Sequence, residues 1–405
     1  MAPATLDRDL LASRLSAAVA ALDPAPPTPV MVVDLDAFDL NAADLERRAA
    51  GKTIRVASKS VRVPDLLRRA LARPGFQGIL AFTLREALWL HAQGISDDIV
   101  VAYPTVDRPA LAELAASPEA ARAITLMVDD TAQLDLADAA RSTPGVPIRV
   151  AIEIDAGLRL GGQHVGPKRS PLYDPSPVVR LARSVVDRAG FHLAGVMTYE
   201  GQVAGLPDVV PGQRARSLLV RRLKSASLSQ LEVRRRELAA ALAEVAELEF
   251  WNAGGSGSVD ATTLDPVVTE IAAGSGLLVP ALFDHYRAFT PRPAAFFGVP
   301  VVRRPSAGVA TVHGGGFVAS GAAGRDRLPT PWAPSGLHLT ALEGAGEVQT
   351  PLTGPAAARL RIGDLVWFRH AKSGELFEHG LQVHLLAGDD IVGTVPTYRG
   401  CGLAF

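Results

Sequence analysis

A lysine stands at the end of a short apolar segment, where a charged amine needs a chemical reason. The segment is Thr53 to Arg62, T-I-R-V-A-S-K-S-V-R, whose apolar run resembles a buried strand that ends at Lys59. In a barrel of parallel strands, side chains at the C-terminal strand ends face the mouth, so Lys59 would lie over the pocket. A lysine amine held there is a candidate for imine formation with a carbonyl group. A salt-bridged lysine at a strand end is the alternative that this segment alone leaves open.

Two later loops carry polar residues to the same predicted mouth. The loop I-D-A-G-L-R follows one predicted strand and carries Asp155 and Arg159. The loop T-Y-E-G-Q follows another and carries Tyr199 and Glu200. Because active sites of such barrels are built from the loops after the strands, these side chains are candidates for a common site.

Two glycine- and serine-rich loops follow the last two predicted barrel strands. They are A-G-G-S-G-S, which contains Gly255, Ser256 and Gly257, and A-A-G-S-G, which contains Gly274 and Ser275. Small residues let backbone N–H groups close around a phosphate group, although a single loop of this kind is usually only a turn. Together with a lysine and an arginine at the mouth, the two loops indicate a site for pyridoxal phosphate. The lysine would hold the cofactor aldehyde as a Schiff base, and the cofactor would act as the electron sink.

The elements that must position these residues alternate between strand and helix, which favours parallel strands with crossover helices. After the segment before Lys59, the sequence predicts strands at Gly78 to Phe82, Ile99 to Tyr103, Ile124 to Val128, Ile148 to Ile154, Leu193 to Met197, Glu249 to Asn252 and Val267 to Ile271. Thr83, with Glu86 three residues later, predicts a capping box at a helix start. The stretch from Gln202 to Arg236 interrupts the pattern and is interpreted as a solvated basic helix or an inserted lid.

With the strand Val30 to Val33 the sequence predicts nine strands, whereas a closed barrel of this type has eight. We therefore assign Val30 to Val33 to a second domain. From Ala294 onward, short strands separated by Gly, Pro and Asp predict an all-β domain. The predicted fold is therefore an α/β chain: a (β/α)8 barrel of the TIM type followed by a C-terminal all-β domain. The predicted boundaries are residues 1–33 for an N-terminal helix and strand that pack with the β domain, 34–290 for the barrel and 291–405 for the β domain.

Composition restricts the class of protein. A chain of 405 residues with 48% hydrophobic residues can bury a large core, and a net charge of -1 argues against binding to nucleic acid or to an anionic membrane. The N-terminal segment Met1 to Asp23 has the spacing of an amphipathic helix rather than a signal peptide, and no apolar run is long enough to span a bilayer. The single cysteine, Cys401, excludes a disulfide within the chain and fits a reducing cytoplasm, which is the expected location.

These motifs together resemble the fold type III pyridoxal phosphate enzymes, which share the alanine racemase fold. Within that group the chain looks like the D-threonine aldolase and D-serine dehydratase branch, and in particular a bacterial subgroup described as amino acid deaminase or aldolase. The resemblance rests on the segments A-S-K-S, I-D-A-G-L-R, M-T-Y-E-G, A-G-G-S-G, T-E-I-A-A-G-S, G-A-G-E-V-Q-T-P-L and R-H-A-K-S-G-E-L. The resemblance implies a homodimer in which the β domain of one chain covers the barrel mouth of the other.

The resemblance also assigns roles to individual residues. It implies that Lys59 is the cofactor lysine, that Arg159 faces the phenolic oxygen of the cofactor and that Tyr199 stands near its pyridine ring. The phosphate would be held by Gly255, Ser256, Gly257, Gly274 and Ser275.

The chain departs from this branch at the metal site. Relatives carry a divalent metal on a His and a Cys or Asp two positions apart, but the matching stretch here is P-T-Y-R-G-C-G, with Tyr398 and Gly400 at those positions. Arg399 adds a positive charge, so we expect no divalent ion, with Tyr398 or a nearby histidine handling the hydroxyl proton and Arg399 contacting an anionic part of the substrate. His370, His379 and His384 are the alternative source of metal ligands.

Three functions remain open at this stage. The first is cleavage of a D-3-hydroxy amino acid, by retro-aldol cleavage or by loss of the β-hydroxyl as water. The second is a racemase, in which Tyr398 could be the second base. The third is a non-catalytic cofactor carrier, which the two-domain organisation disfavours because such carriers resemble the barrel alone.

Overall fold

The computed structural model describes residues 7–141, 145–210 and 212–405. The start of the predicted N-terminal helix, through Leu6, lies outside these residues, as does Pro211 in the stretch interpreted as an insertion. The helices are α1 (Arg8–Ala20), α2 (Leu35–Ala49), α3 (Pro64–Leu71), α4 (Leu84–Ala92), α5 (Arg108–Ala116), α6 (Pro118–Ala123), α7 (Thr131–Ala139), α8 (Pro175–Val186), α9 (Gly201–Ala204), α10 (Arg214–Ala243), α11 (Val259–Thr262) and α12 (Ser275–Leu278).

The strands comprise two sets that belong to different sheets. In chain order they are β1 (Val30–Asp34), β2 (Thr53–Ala57), β3 (Phe76–Ala81), β4 (Ile99–Val101), β5 (Ile124–Val128), β6 (Ile148–Glu153), β7 (Leu158–Leu160), β8 (Gln163–Val165), β9 (Phe191–Thr198), β10 (Phe250–Ala253), β11 (Glu270–Ala273), β12 (Ala295–Ser306), β13 (Val309–His313), β14 (Thr330–Ala333), β15 (His338–Leu339), β16 (Gln349–Thr353), β17 (Leu365–Arg369), β18 (Gln382–Ala387) and β19 (Asp390–Pro396).

One compact unit, here called the barrel unit, lies within Asp44–Lys59, Leu66–Gly274 and Phe405. Its strands close in the order β2-β3-β4-β5-β6-β9-β10-β11, and β11 pairs in parallel with β2. The strands are short and mostly buried, and β5 is a nearly continuous apolar run, as expected for parallel strands buried on both faces. Side chains such as Val100, Met127 and Phe250 pack together as a buried cluster of this unit. The predicted (β/α)8 barrel is therefore confirmed.

Of the two hydrogen bonds of the capping box that the sequence predicts at the start of α4, one is formed as predicted. The Thr83 hydroxyl accepts from the Glu86 N–H at 3.0 Å, which caps the first turn. The Glu86 carboxylate accepts from the Phe82 N–H at 2.7 Å, so it reaches one residue further back than a capping box requires.

The stretch from Gln202 to Arg236 belongs to the barrel unit and is not simply a solvated insertion. Most of it forms α10, which connects β9 to β10 and contacts α8. Its first turns are exposed, but Arg234 and Arg235 are buried. The prediction is wrong for this second part, because a guanidinium can be buried where carboxylates and carbonyl oxygens satisfy it.

The second compact unit, here called the sheet unit, comprises the described residues up to Ala43, Ser60–Asp65 and Ser275–Ala404. Its nine-stranded sheet has the order β15-β16-β13-β12-β1-β18-β19, with β17 pairing both β12 and β14. β1 pairs antiparallel with β12 and parallel with β18, so the strand assigned to the second domain lies in this sheet. Leu11 and Leu15 of α1 pack against the buried Phe296 and Trp367. The mostly stranded C-terminal region that the sequence predicts is confirmed.

Of the helices in the described part of the chain, none combines the length and the apolar character needed to cross a membrane.

Candidate active site

Lys59 lies in the barrel unit at the C-terminal end of the first barrel strand. A single 3-10 turn, Ser58–Ser60, follows β2 and holds the lysine half-buried. The Lys59 Nζ donates a hydrogen bond to the Tyr103 Oη at 2.8 Å. Tyr103 stands two positions after β4, so the C-terminal ends of two different strands bring the amine and the phenol together.

A partly exposed guanidinium, that of Arg169, lies beside this pair. Arg169 packs over the Tyr103 ring at 5.1 Å and over the Tyr199 ring at 4.9 Å, measured from its Cζ to the ring centroids. Its Nη1 lies 3.3 Å from the carboxylate of Glu153, the last residue of β6. Burial raises the pKa of Glu153, and Arg169 opposes that rise only in part. Burial also raises the pKa of Tyr199, so its phenol stays protonated at neutral pH.

The predicted Arg159 lies elsewhere in the barrel unit. It is exposed, and its guanidinium packs over the Tyr173 ring at 3.5 Å. Its backbone N–H donates to the Gln230 side chain at 3.0 Å. The structure thus places Arg169, ten positions further along the chain, among the groups around Lys59 and Tyr199. Arg159 lies within the hairpin β7–β8, where its side chain is exposed, whereas Arg169 follows the hairpin in the chain.

Two of the predicted glycine-rich loops meet in the barrel unit. The Gly274 N–H donates to the Ser256 hydroxyl at 3.3 Å, which joins the loop after β11 to the loop after β10. Gly257 is buried in the turn that follows Ser256. A Cβ on Gly255 would lie 3.0 Å from the Ala204 Cβ and 3.4 Å from the Tyr199 ring, so a side chain there would require these neighbours to shift by a few tenths of an ångström.

A fully buried carboxylate shapes the first of these loops. Glu200 accepts from the Gly254 N–H at 3.1 Å and from the Ser258 hydroxyl at 3.3 Å, and it also accepts from the Thr262 hydroxyl. Arg235 of α10 lies 3.0 Å from the same carboxylate and neutralises it. Gly254 has φ of +78°, a left-handed conformation that glycine adopts without strain. A buried network of charged and polar groups therefore stabilises the loop.

The remaining predicted residues belong to the sheet unit. The Ser275 hydroxyl lies 2.9 Å from the Ser60 hydroxyl. Tyr398 is buried, and its N–H donates to the Arg62 carbonyl at 3.0 Å. The Arg399 guanidinium pairs with Glu378, which also pairs with Arg62.

The predicted position of a second metal ligand has no space for one. A Cβ on Gly400 would lie 1.9 Å from the Leu381 carbonyl oxygen, so any side chain there requires the backbone to move. His379 stacks on the Phe317 ring, with centroids 4.1 Å apart. Burial, reinforced by Arg369, lowers the pKa of His370 to about 3. Within residues 7–141, 145–210 and 212–405, no group of three His, Cys, Asp or Glu side chains is arranged to hold a metal ion.

The barrel residues fit pyridoxal phosphate. The Lys59 amine can react with an aldehyde, and the Arg169 guanidinium can balance an anionic oxygen. The loops at Gly255 and Gly274 offer backbone N–H groups and the Ser256 hydroxyl for a phosphate.

Sequence reasoning missed Tyr103, Arg169 and Arg235 as site residues. Tyr103 could have been found by the rule that selected Lys59, because it also stands at a strand end. Arg169 carries no comparable signal, since its position depends on the path of the hairpin before it. Arg235 lies on a helix, where the sequence does not show that the side chain reaches the barrel.

The comparisons with known proteins concern the family and the fold of the chain. The family model described as the alanine racemase N-terminal domain matches residues 33–241. The chain is 25% identical to 3-hydroxy-D-aspartate aldolase from Paracoccus denitrificans over 61% of its own length and 59% of the relative's. It is 30% identical to D-threo-3-hydroxyaspartate dehydratase from a Delftia species over 43% of each chain. The matches thus span about three fifths or less of these curated relatives.

A solved structure shows the same fold over almost the whole chain. D-threonine aldolase from Filomicrobium marinum superposes with a TM-score of 0.77 at 22% identity, covering 93% of this chain and 96% of the other. The family predicted from the motifs is confirmed: the chain belongs to the alanine racemase N-terminal domain family, the fold type III pyridoxal phosphate enzymes, with D-threonine aldolase among its structural relatives.

Proposed function

We propose that the protein is a pyridoxal phosphate-dependent lyase of D-3-hydroxy amino acids. The reaction is retro-aldol cleavage between the α and β carbons, giving glycine or another small amino acid plus an aldehyde. The observation that carries this proposal is the Lys59 amine, hydrogen-bonded to Tyr103 at a barrel strand end, in a unit that also holds two joined glycine-rich loops. The relatives, two aldolases and one dehydratase, support a lyase.

Each part of the site has a task in this reaction. When bound, the cofactor supplies an electron sink for the pair of electrons left on the substrate α carbon. Lys59 holds the cofactor and exchanges a proton at Nζ. Arg169 balances negative charge beside the two tyrosine rings, and it takes the place in which the sequence predicted Arg159. Tyr199 is the residue that would line the pyridine ring of the cofactor, as the family resemblance implies.

The phosphate is held by backbone N–H groups and a hydroxyl. Gly255, Ser256, Gly257 and Gly274 of the barrel unit supply them, and Ser275 at the start of α12 is the remaining predicted contact. The Glu200–Arg235 ion pair stabilises the first of these loops, and the two charges of the pair cancel.

Dehydration is the second candidate, giving a 2-oxo acid and ammonia from D-serine-like or D-threonine-like substrates. The match to a D-threo-3-hydroxyaspartate dehydratase favours it. The two reactions differ at the β-hydroxyl, which loses its proton in aldol cleavage and leaves as water in dehydration. We assign to Tyr398 the transfer of the proton at the β-hydroxyl, which it would accept in aldol cleavage and donate in dehydration. Arg399 would contact an anionic part of the substrate. Racemisation is a weaker third candidate, in which Tyr398 would be the second base.

Product analysis tests the proposed function. The protein and cofactor are incubated with matched D- and L-3-hydroxy amino acids, and the products are identified. Glycine plus an aldehyde from the D-isomers alone is the expected result. A 2-oxo acid plus ammonia would select dehydration, inverted amino acid would select racemisation, and no product would contradict a lyase. Lys59→Ala should remove the activity, whereas Lys372→Ala serves as the lysine control, because Lys372 is a half-exposed lysine of the sheet unit that pairs with Glu375.

We further propose that the active form is a homodimer that acts without a divalent metal. The dimer rests on the family resemblance, and light scattering at assay concentration tests it. A fully active monomer would contradict it.

A further inference from the structure

We propose that Tyr103 is the proton partner of Lys59: one proton moves between the lysine Nζ and the tyrosine Oη, and Arg169 favours the form in which the tyrosine has lost it. This inference rests on the proposed function, because it assigns a task to the amine that would hold the cofactor.

The geometry allows direct transfer. The Nζ and Oη atoms are 2.8 Å apart, an ordinary hydrogen-bond distance within the reach required of an acid–base pair. Both residues follow the C-terminal ends of barrel strands, β2 and β4, so the scaffold rather than a long flexible loop sets the distance. Both side chains are also half-buried, which limits the access of bulk water to the shared proton.

The charges around the phenol favour its ionised form. The cations that face Tyr103 are Lys59 and Arg169, and the nearest anion is Glu153, which is paired with Arg169 at 3.3 Å. Burial alone would raise the pKa of Tyr103, but the charge and hydrogen bond of Lys59, together with Arg169, outweigh burial and lower the pKa. Arg169 also packs over the ring of Tyr199, whose pKa is raised by burial.

The proton balance is simple. In one form the ammonium of Lys59 faces the phenolate of Tyr103. When the Nζ–H bond breaks and the Oη–H bond forms, both groups become neutral and no charge leaves the site. Lys59 then has the lone pair that attack on a carbonyl carbon requires. When the lysine is released or reprotonated, the same proton returns from Tyr103.

The pair titrates as a unit, so both partners are followed in the cofactor-free protein. The chain has five tyrosines, and tyrosinate formation is read from ultraviolet absorbance as pH is raised. We expect one tyrosine to ionise below the other four, and this component should be absent in Tyr103→Phe. Tyr173→Phe is the control for guanidinium groups alone: Arg159 and Arg234 pack over its ring, but its hydroxyl donates to Gln230 at 2.9 Å, so the early component should persist in this variant. Lys59→Met should move the component upward by roughly one to three pH units.

The lysine is followed separately by acylation with an amine-reactive reagent and mass spectrometry of the Lys59 peptide. Without Tyr103, the ammonium loses its partner but stays near the Arg169 charge. The onset of labelling should therefore move to lower pH in Tyr103→Phe. An unchanged onset, or an early tyrosinate component that persists in this variant, would overturn the inference and leave Tyr103 as a packing residue.

Reductive trapping of the cofactor separates this inference from the proposed function. If Lys59 is trapped with cofactor but Tyr103→Phe changes neither titration, only the proton partner is wrong. If both titrations change as expected but the cofactor is trapped on another lysine, the pair exists and the assignment of Lys59 to the cofactor is wrong.

Discussion

Replacing Arg235 by methionine removes the cation that neutralises two buried carboxylates of the barrel unit. The Arg235 guanidinium lies 3.0 Å from Glu200 and 3.2 Å from Asp265. It also donates to the Thr198 hydroxyl and to the Thr198 carbonyl, both at 2.9 Å. All of these groups are buried, so water cannot replace the missing contacts.

The cost follows from what the methionine leaves behind. Glu200 keeps its hydrogen bonds from the Gly254 N–H and two hydroxyl groups, but it loses the charge that compensates it. Breaking a buried ion pair by removing one partner costs about 3–5 kcal/mol. Most single domains have about 5–15 kcal/mol of stability, so this change should be visible as a large shift in unfolding. Glu200 anchors the glycine-rich loop through the Gly254 N–H, so an uncompensated charge on Glu200 should disturb the loop. Binding of the cofactor and of inorganic phosphate should therefore weaken as well.

Urea unfolding of the cofactor-free protein measures the effect. Arg236→Met is the matched control, because Arg236 is the next residue of the same helix, is 58% exposed and pairs only with Glu232 at 3.4 Å among the described contacts. Its cost should stay within about 0.5 kcal/mol. The double variant Arg235→Met with Glu200→Gln should cost less than the sum of the single variants, by roughly 0.5–3 kcal/mol. If Arg235→Met costs no more than Arg236→Met, the loop does not depend on this buried network.

Three further predictions concern the sheet unit. Gly400→Cys restores a possible ligand at the metal position, but its Cβ would meet the Leu381 carbonyl. Calorimetry should therefore show a free energy of unfolding lower by roughly 1–3 kcal/mol and no binding of zinc or manganese. Tight binding of either ion would refute this prediction. Tyr398→Phe should lower kcat/KM by roughly 10²- to 10⁴-fold, while a chelator should leave activity nearly unchanged; activity lost on chelation and restored by manganese or zinc would show a metal site. Because the folded pKa of His370 is about 3, below its ordinary 6.5, the unfolded state binds more protons between these values. The stabilisation is therefore complete above pH 6.5 and is lost as pH falls toward 3, with a slope of at most about 1.4 kcal/mol per unit, and denaturant titrations of His370→Gln should lack this component.

The sequence predicted the barrel because its signal is local and repeated. Buried parallel strands appear as short apolar runs, and Ile124–Val128 was predicted at its observed bounds. The strand ends could then be examined for chemistry, which selected Lys59 and both glycine-rich loops. In the sheet unit, Thr330–Ala333 and Gln349–Thr353 each contain a proline, which weakens the strand signal in the sequence.

The side-chain contacts of the site could not be predicted in the same way. Arg159 and Arg169 lie in one connection after β6, and only the folded hairpin decides which of them packs against Tyr103. Arg235 lies on a helix whose first turns are exposed, so a basic stretch that appears solvated in sequence also carries a buried cation. Such contacts depend on residues far apart in the chain, and a periodic pattern does not encode them.

Borohydride reduction of the cofactor-loaded protein, followed by peptide mass spectrometry, tests the central claim most directly. The account predicts that the reduced cofactor is found on the peptide containing Lys59, that Lys372→Ala does not alter it, and that Lys59→Ala abolishes both the adduct and the visible absorbance of the bound cofactor. A reducible adduct that persists in Lys59→Ala, or that is found on another lysine of the unsubstituted protein, would contradict the assignment of Lys59.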